Sequence, residues 1–225
     1  GGALTTGASN VAVGKDALLV GTTTTTCVAV GATAGDAITT GADNTAVGFN
    51  SLGAATTGAN NTAVGSGALA AVTTGTGNTA VGKTAGDALT TGVSNTAVGL
   101  DALGAETTGT TNVAVGKDAL LVQAGAVGNV AVGATAGDAI TTGAANTAIG
   151  FDALGAATTG ANNTCLGSGA GNTVTTGTGN TVIGQAAVTS AAGAVDQIVL
   201  GRGVTGVADN AITLGDVTRA ITCNF

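Results

Sequence analysis

Carboxylates are the side chains whose spacing first suggests chemistry. Asp16, Asp101, Asp118 and Asp152 fall at one place in a recurring 17-residue interval, and Asp36, Asp87 and Asp138 at another. Stacked in register, they would form two sparse acidic columns. Such columns could do acid–base work or, if several oxygens converged, hold calcium. The rest of the sequence completes neither reading. The 225 residues include no His to serve as a base or ligand near neutrality, and the glycine-aspartate pattern of calcium-binding β-rolls is missing. Cys27, Cys165 and Cys223 have no metal-ligand spacing. In a stacked chain, Cys27 and Cys165 would lie roughly 38 Å apart at about 4.8 Å per coil, beyond disulfide reach. They read as small apolar fillers. The expectation is a chain without catalytic residues, metal ligands or cofactor, whose acids have structural or solvating roles.

The interval that aligns the acids dominates the whole chain. Asn78-Thr79-Ala80-Val81-Gly82 is one rung of a ladder whose closing glycine never drifts: Gly14, Gly31, Gly48, Gly65, Gly82, Gly99, Gly116, Gly133, Gly150, Gly167, Gly184 and Gly201. The opening residue, position 1 of each coil, is Asn10, Asn44, Asn61, Asn78, Asn95, Asn112, Asn129, Asn146, Asn163 and Asn180, with Cys27 and Gln197 as departures. A strict period of this kind marks a solenoid, in which a repeat buries its apolar side only by stacking on its neighbours. Stacked asparagine amides then form a hydrogen-bonded ladder, and glycine at position 5 suits a turn with positive φ or no room for Cβ. Both columns are structural.

Positions 2 and 4 alternate around a small position 3, the period of a short β-strand. Position 4 is always aliphatic (Val13, Val81, Ile149, Leu200), so positions 2 and 4 are expected inside, with the alanines of position 3 facing out. Alanine recurs at position 8, as in Ala34 and Ala85, followed by Leu or Gly at position 9. A second strand is expected there, giving a flattened or triangular section. Most coils close on Thr-Thr-Gly, as in Thr73-Thr74-Gly75. Ice-binding solenoids present threonine at alternate residues. Here the pair is adjacent, so only one hydroxyl row can face out, which weighs against that role.

A larger echo overlies the short one. The segment Gly31 to Ala42 recurs unchanged from Gly133 to Ala144, six coils on, and Gly86 to Gly92 is a weaker copy at half that distance. Duplication of a three-coil unit accounts for both. Residues 1–184 form the regular array; 185–225 are atypical terminal coils, a cap or a join to a further module. The missing initial Met and leader read as an N-terminus that is processed, truncated or simply not included in this sequence.

Composition narrows the partners. Only 8% of residues are charged, the net charge is −7, and no basic stripe exists to hold nucleic acid. Apolar runs are cut by Gly or Thr too often to insert in a membrane. With 44% apolar residues, 41 glycines and no proline, the chain is neither disordered nor collagen-like. Asn60 and Asn162 open Asn-Asn-Thr sequons, candidate glycosylation sites.

Asn61 to Leu69 with Thr73-Thr74-Gly75 resembles the repeats of bacteriophage tail fibres and bacterial trimeric surface adhesins. It is similar to the head repeats of YadA-like adhesins, in which Asn-Ser-Val-Ala-Ile-Gly rungs build a left-handed parallel β-roll in a homotrimer. The resemblance covers residues 3–216, although the coils here are longer. It implies an all-β parallel β-solenoid of about twelve 17-residue coils, left-handed and homotrimeric, in a virion tail fibre or on a cell surface. The expected function is a non-catalytic shaft that projects a receptor-binding end carried by another domain. Alanine strips at positions 3 and 8 would favour the trimer. The alternatives are a filament subunit stacking end to end and an ice-binding solenoid.

Overall fold

The computed structural model describes residues 6–215. Each coil carries one three-residue strand: β1 (Val11–Val13), β2 (Val28–Val30), β3 (Thr45–Val47), β4 (Thr62–Val64), β5 (Thr79–Val81), β6 (Thr96–Val98), β7 (Val113–Val115), β8 (Val130–Val132), β9 (Thr147–Ile149), β10 (Thr164–Leu166), β11 (Thr181–Ile183), β12 (Ile198–Leu200) and β13 (Ile212–Leu214). The thirteen strands form one parallel sheet in sequence order. Successive strands pair 17 residues apart, as in Thr79↔Thr96 and Val81↔Val98; the last step, Ile198↔Ile212, is shorter. The chain is a parallel β-solenoid of about twelve turns.

The inside of the strand is the opposite of the sequence expectation. Position 3 points inward: Ala29, Ala46, Ala63, Ala80 and their equivalents as far as Val199 are buried, while positions 2 and 4 stay largely half-exposed. Size explains the reversal. The coil is narrow, and facing the strand are the buried alanines of position 8 (Ala34, Ala85, Ala136) and buried leucines of position 9. Little more than a methyl fits between them at most levels. Where position 3 enlarges to Cys165, position 9 of the same coil is Gly171, whose Cβ would fall 2.3 Å from Cys165 Sγ. Positions 3 and 8 therefore supply no external strip.

The expected second strand does not form either. Positions 8 and 9 lie in a turn, where Leu18, Leu52, Leu69, Leu103, Leu120 and Leu154 adopt φ between +49° and +53°. A left-handed backbone costs a bulky residue roughly 1–2 kcal/mol, and burial of a leucine side chain, worth about 1.5–3 kcal/mol, offsets it. All six are fully buried. Position 12 complements this row. Gly35, Gly86 and Gly137 at position 9 accompany Ile38, Leu89 and Ile140 at position 12, and a Cβ on Gly137 would lie 3.0 Å from Ile140 Cδ1. Leucine at position 9 accompanies smaller or polar residues, such as Ala55, Val72 and Ala157. The three-coil echo is thus a packing alternation.

Two columns hold the stack together. The position 5 glycines have φ from +130° to +139°, and a Cβ on Gly82 would sit 2.5 Å from the Gly99 carbonyl oxygen. The asparagine ladder forms and reaches further than amide to amide. Asn78 donates its backbone N–H (3.0 Å) and Nδ2 (3.2 Å) to Asn61 Oδ1, and Nδ2 also to the Gly92 carbonyl at 2.8 Å. Asn44 through Asn180 in this column are buried.

The ladder changes form at Cys27. Thr24 stands where other coils close on Gly, and its hydroxyl donates to the Gly41 carbonyl, the oxygen that an asparagine at 27 would reach. The two departures are coupled. Thr24→Gly with Cys27→Asn is expected to stabilise by about 1–2 kcal/mol through restored hydrogen bonds. Cys27→Asn alone should give no gain, because the Thr24 side chain occupies the amide's place. Urea unfolding of both singles and the double tests this non-additivity.

Candidate functional site

The outer face of the sheet is the main exposed surface that the sequence reading missed. Two rows run its length. Position 2 carries Thr45, Thr62, Thr79, Thr96, Thr147, Thr164 and Thr181, with Val or Ile elsewhere, and position 4 is aliphatic throughout. Hydroxyl and methyl rows therefore face outward together, at alternate residues of each strand. Val13, Val81, Leu166, Ile183 and Leu214 are among the exposed aliphatics, and no charged residue falls at either position. A signal was available in the sequence. Thr and Val exchange freely at position 2, and a buried hydroxyl without a partner is costly.

Along one side of this face, position 6 is an exposed rim that includes Lys15, Phe49, Lys83, Lys117 and Phe151. Along the other, Asn60 and Asn162 are exposed in left-handed turns (φ +59° and +58°), so both sequon side chains reach solvent. The closing threonines lie apart from the strand. The first of each pair passes its hydroxyl to the carbonyl one coil up, as in Thr39 to Thr56 (2.9 Å) and Thr141 to Thr158 (3.0 Å). In these pairs only the second is fully exposed, whereas above Glu106 both Thr107 and Thr108 are.

The acidic columns do not assemble a metal site: among the described residues no group of three His, Cys, Asp or Glu is placed to hold an ion. The position 10 acids nevertheless have perturbed acidities. Desolvation pushes Asp138 above the ordinary carboxylate range, helped by the Asp152 and Asp118 charges and opposed by bonds from its own and the Ala139 amide. Asp87 is raised by desolvation and then by Asp101, and Asp36 by desolvation, with Asp16 adding to it. A folded-state pKa raised above the unfolded value means that the native state holds the proton more tightly, so this contribution to stability grows as pH falls. Asp138→Asn is expected to be more stable than wild type at neutral pH. Its advantage should shrink as the pH falls through the raised pKa toward the ordinary 3.8, measured by urea unfolding at both ends of that window.

Burial pushes the Cys165 thiol up to about 12. Cys27 is likewise buried and free; Cys223 lies outside the described residues, as do Arg219 and Phe225. The chain's one glutamate is also internal. Glu106 Oε1 accepts the amides of Thr107 (2.8 Å), Thr108 (3.0 Å), Gly109 (2.6 Å) and Gly125 (2.8 Å), and Oε2 accepts Gln123 Nε2 at 2.8 Å. In regular coils the corresponding amides donate to a carbonyl of the next coil, as Thr39, Thr40 and Gly41 do to Thr56. Glu106 replaces that acceptor below the coil that closes on Ala124-Gly125-Ala126 in place of Thr-Thr-Gly.

Comparison with protein-family models, curated proteins and solved structures finds no match to this chain. The functional reading therefore rests on the surface itself.

Proposed function

We propose that this chain is the shaft of a trimeric fibre or adhesin, a mechanical element of a virion tail fibre or cell surface. On this reading its receptor-binding end lies in another domain. The observation that carries the proposal is the uncharged outer strand face. Twelve steps of about 4.8 Å and a strand of three residues at about 3.3 Å each give a strip of roughly 570 Å², the same order as the roughly 800 Å² that each partner contributes to a standard interface. Other copies of the chain are the proposed cover, since an uncharged strip of that size lies at the upper end of what a lone soluble molecule exposes. Continuous hydrogen bonding along the axis supplies stiffness.

Light scattering across a dilution series tests the reading. A constant mass near three chains is expected, and Val81→Glu, placed mid-face, should dissociate it. A wild-type monomer would overturn the trimer, and mass growing with concentration would favour end-to-end filaments. A second reading has one observation in its favour: a threonine row beside an aliphatic row on a flat face is suited to ordering water. Ice binding would appear as a monomer with thermal hysteresis that Val81→Glu abolishes.

A further inference from the structure

The rim at position 6 gathers chemistry that the rest of the molecule lacks. Lys15, Lys83, Lys117 and Arg202 are all the Lys and Arg among the described residues, and every one falls in this column. So do Phe49 and Phe151, which are 63% and 62% exposed. The order along the axis is Lys15, Phe49, Lys83, Lys117, Phe151, Arg202. Each ring is flanked one coil below and one above by small residues, Ala32 and Ser66 for Phe49, Ala134 and Ser168 for Phe151. No large side chain of this column therefore covers either ring from above or below. The two rings are six coils apart, roughly 29 Å at about 4.8 Å per coil.

We infer that this rim is a binding track for a linear neutral polysaccharide lying parallel to the solenoid axis. Three features select that ligand. Open aromatic faces suit the C–H faces of pyranose rings, because the π-system is negative on its face. The charges along the rim are matched: Asp16, Asp101, Asp118 and Asp152 share the adjacent position 7 column, with Lys15 3.7 Å from Asp16 and Lys117 paired to Asp118. Donors and acceptors thus alternate for sugar hydroxyls, without the net positive charge that a polyanion requires. Finally, a pyranose unit is about as long as one coil is high, so a sugar chain stays nearly in step with the rungs. Two identical platforms on one rigid axis bind such a polymer more tightly than either alone. The track needs only one chain and does not depend on the trimer.

Affinity electrophoresis of the whole chain through gels containing hydroxyethyl cellulose, dextran or galactomannan, with alginate as the acidic counterpart, tests this. Retardation by at least one neutral polymer is expected. Phe49→Ala with Phe151→Ala should weaken it by roughly tenfold or more and leave the molar mass unchanged. No retardation by the neutral polymers, retardation by alginate alone, or equal retardation of the double variant would overturn the track. A change in molar mass would instead make the phenylalanines assembly contacts, which also overturns it.

Discussion

Asn78→Ala should destabilise the solenoid by about 3–4 kcal/mol, because the loss propagates to the next coil. The variant gives up two bonds from Nδ2, to Asn61 Oδ1 and the Gly92 carbonyl. It also removes the acceptor for the Asn95 N–H (3.0 Å) and Asn95 Nδ2 (3.1 Å). Those donors are buried, so leaving them without a partner is costly. Asp at the same position keeps the acceptor for Asn95 but turns the Gly92 contact into repulsion between oxygens, so Asn78→Asp is expected to be no milder. Hydrogen exchange would place the damage, with protection lost first in the coils at 78 and 95 and retained at both ends. A loss below about 1 kcal/mol would mean that the backbone ladder carries the stack without the amides.

Glu106→Ala is expected to be at least as severe, about 4 kcal/mol or more. Hydrogen bonds to a charged group contribute about 1.5–3 kcal/mol each, and one carboxylate oxygen accepts four amides here. Glu106→Gln retains an amide-accepting oxygen. Its cost should be smaller because Gln123 can turn its own amide to meet it, releasing Asn129 Nδ2, now 3.0 Å from Gln123 Oε1. The site lies near the middle of a quasi-one-dimensional array, so the alanine variant should divide unfolding into two steps, one for each flank. A single transition with little loss of stability would show that Thr107 and Thr108 can recover the ordinary acceptor, the carbonyl of residue 124.

Both sites bear on what the sequence discloses. Asparagine and glycine columns were legible because each occupies a position that few other residues can fill, so period and phase were visible by inspection. Glu106 was not, since it is a single departure and its role depends on a neighbour one coil away, where Gln123 supplies a partner and Ala124-Gly125-Ala126 stands in place of the usual closing residues. The strand's orientation was misread for a different reason. Val81 is more hydrophobic than Ala80, and hydropathy therefore pointed the wrong way. Within so narrow a coil, volume decides: the residues that stay small at position 3 and position 8 are the internal ones. The leucines of position 9 suggested a strand from their composition, whereas their left-handed φ follows from the need to turn the chain while still filling the core. As the outward face was assigned to the wrong residues, the candidate surface emerged only from the structure.

The alternation between positions 9 and 12 also constrains how such a rod can change length. Gly86 makes room for Leu89 in its own coil and for Leu69 in the coil before, where a Cβ would lie 3.0 Å from either side chain. Gly137 stands in the same relation to Ile140 and Leu120. Gly171 stands only two coils after Gly137, with Leu154 between them and Val174 buried at position 12. The core thus accepts position 9 glycines two or three coils apart, provided that a leucine coil lies before each. Loss of 17 residues at one coil of a leucine pair, such as Leu52 and Leu69, would reproduce steps already present in the rod. Loss of the Leu154 coil would instead set Gly137 directly against Gly171 and leave a void where the leucine had been.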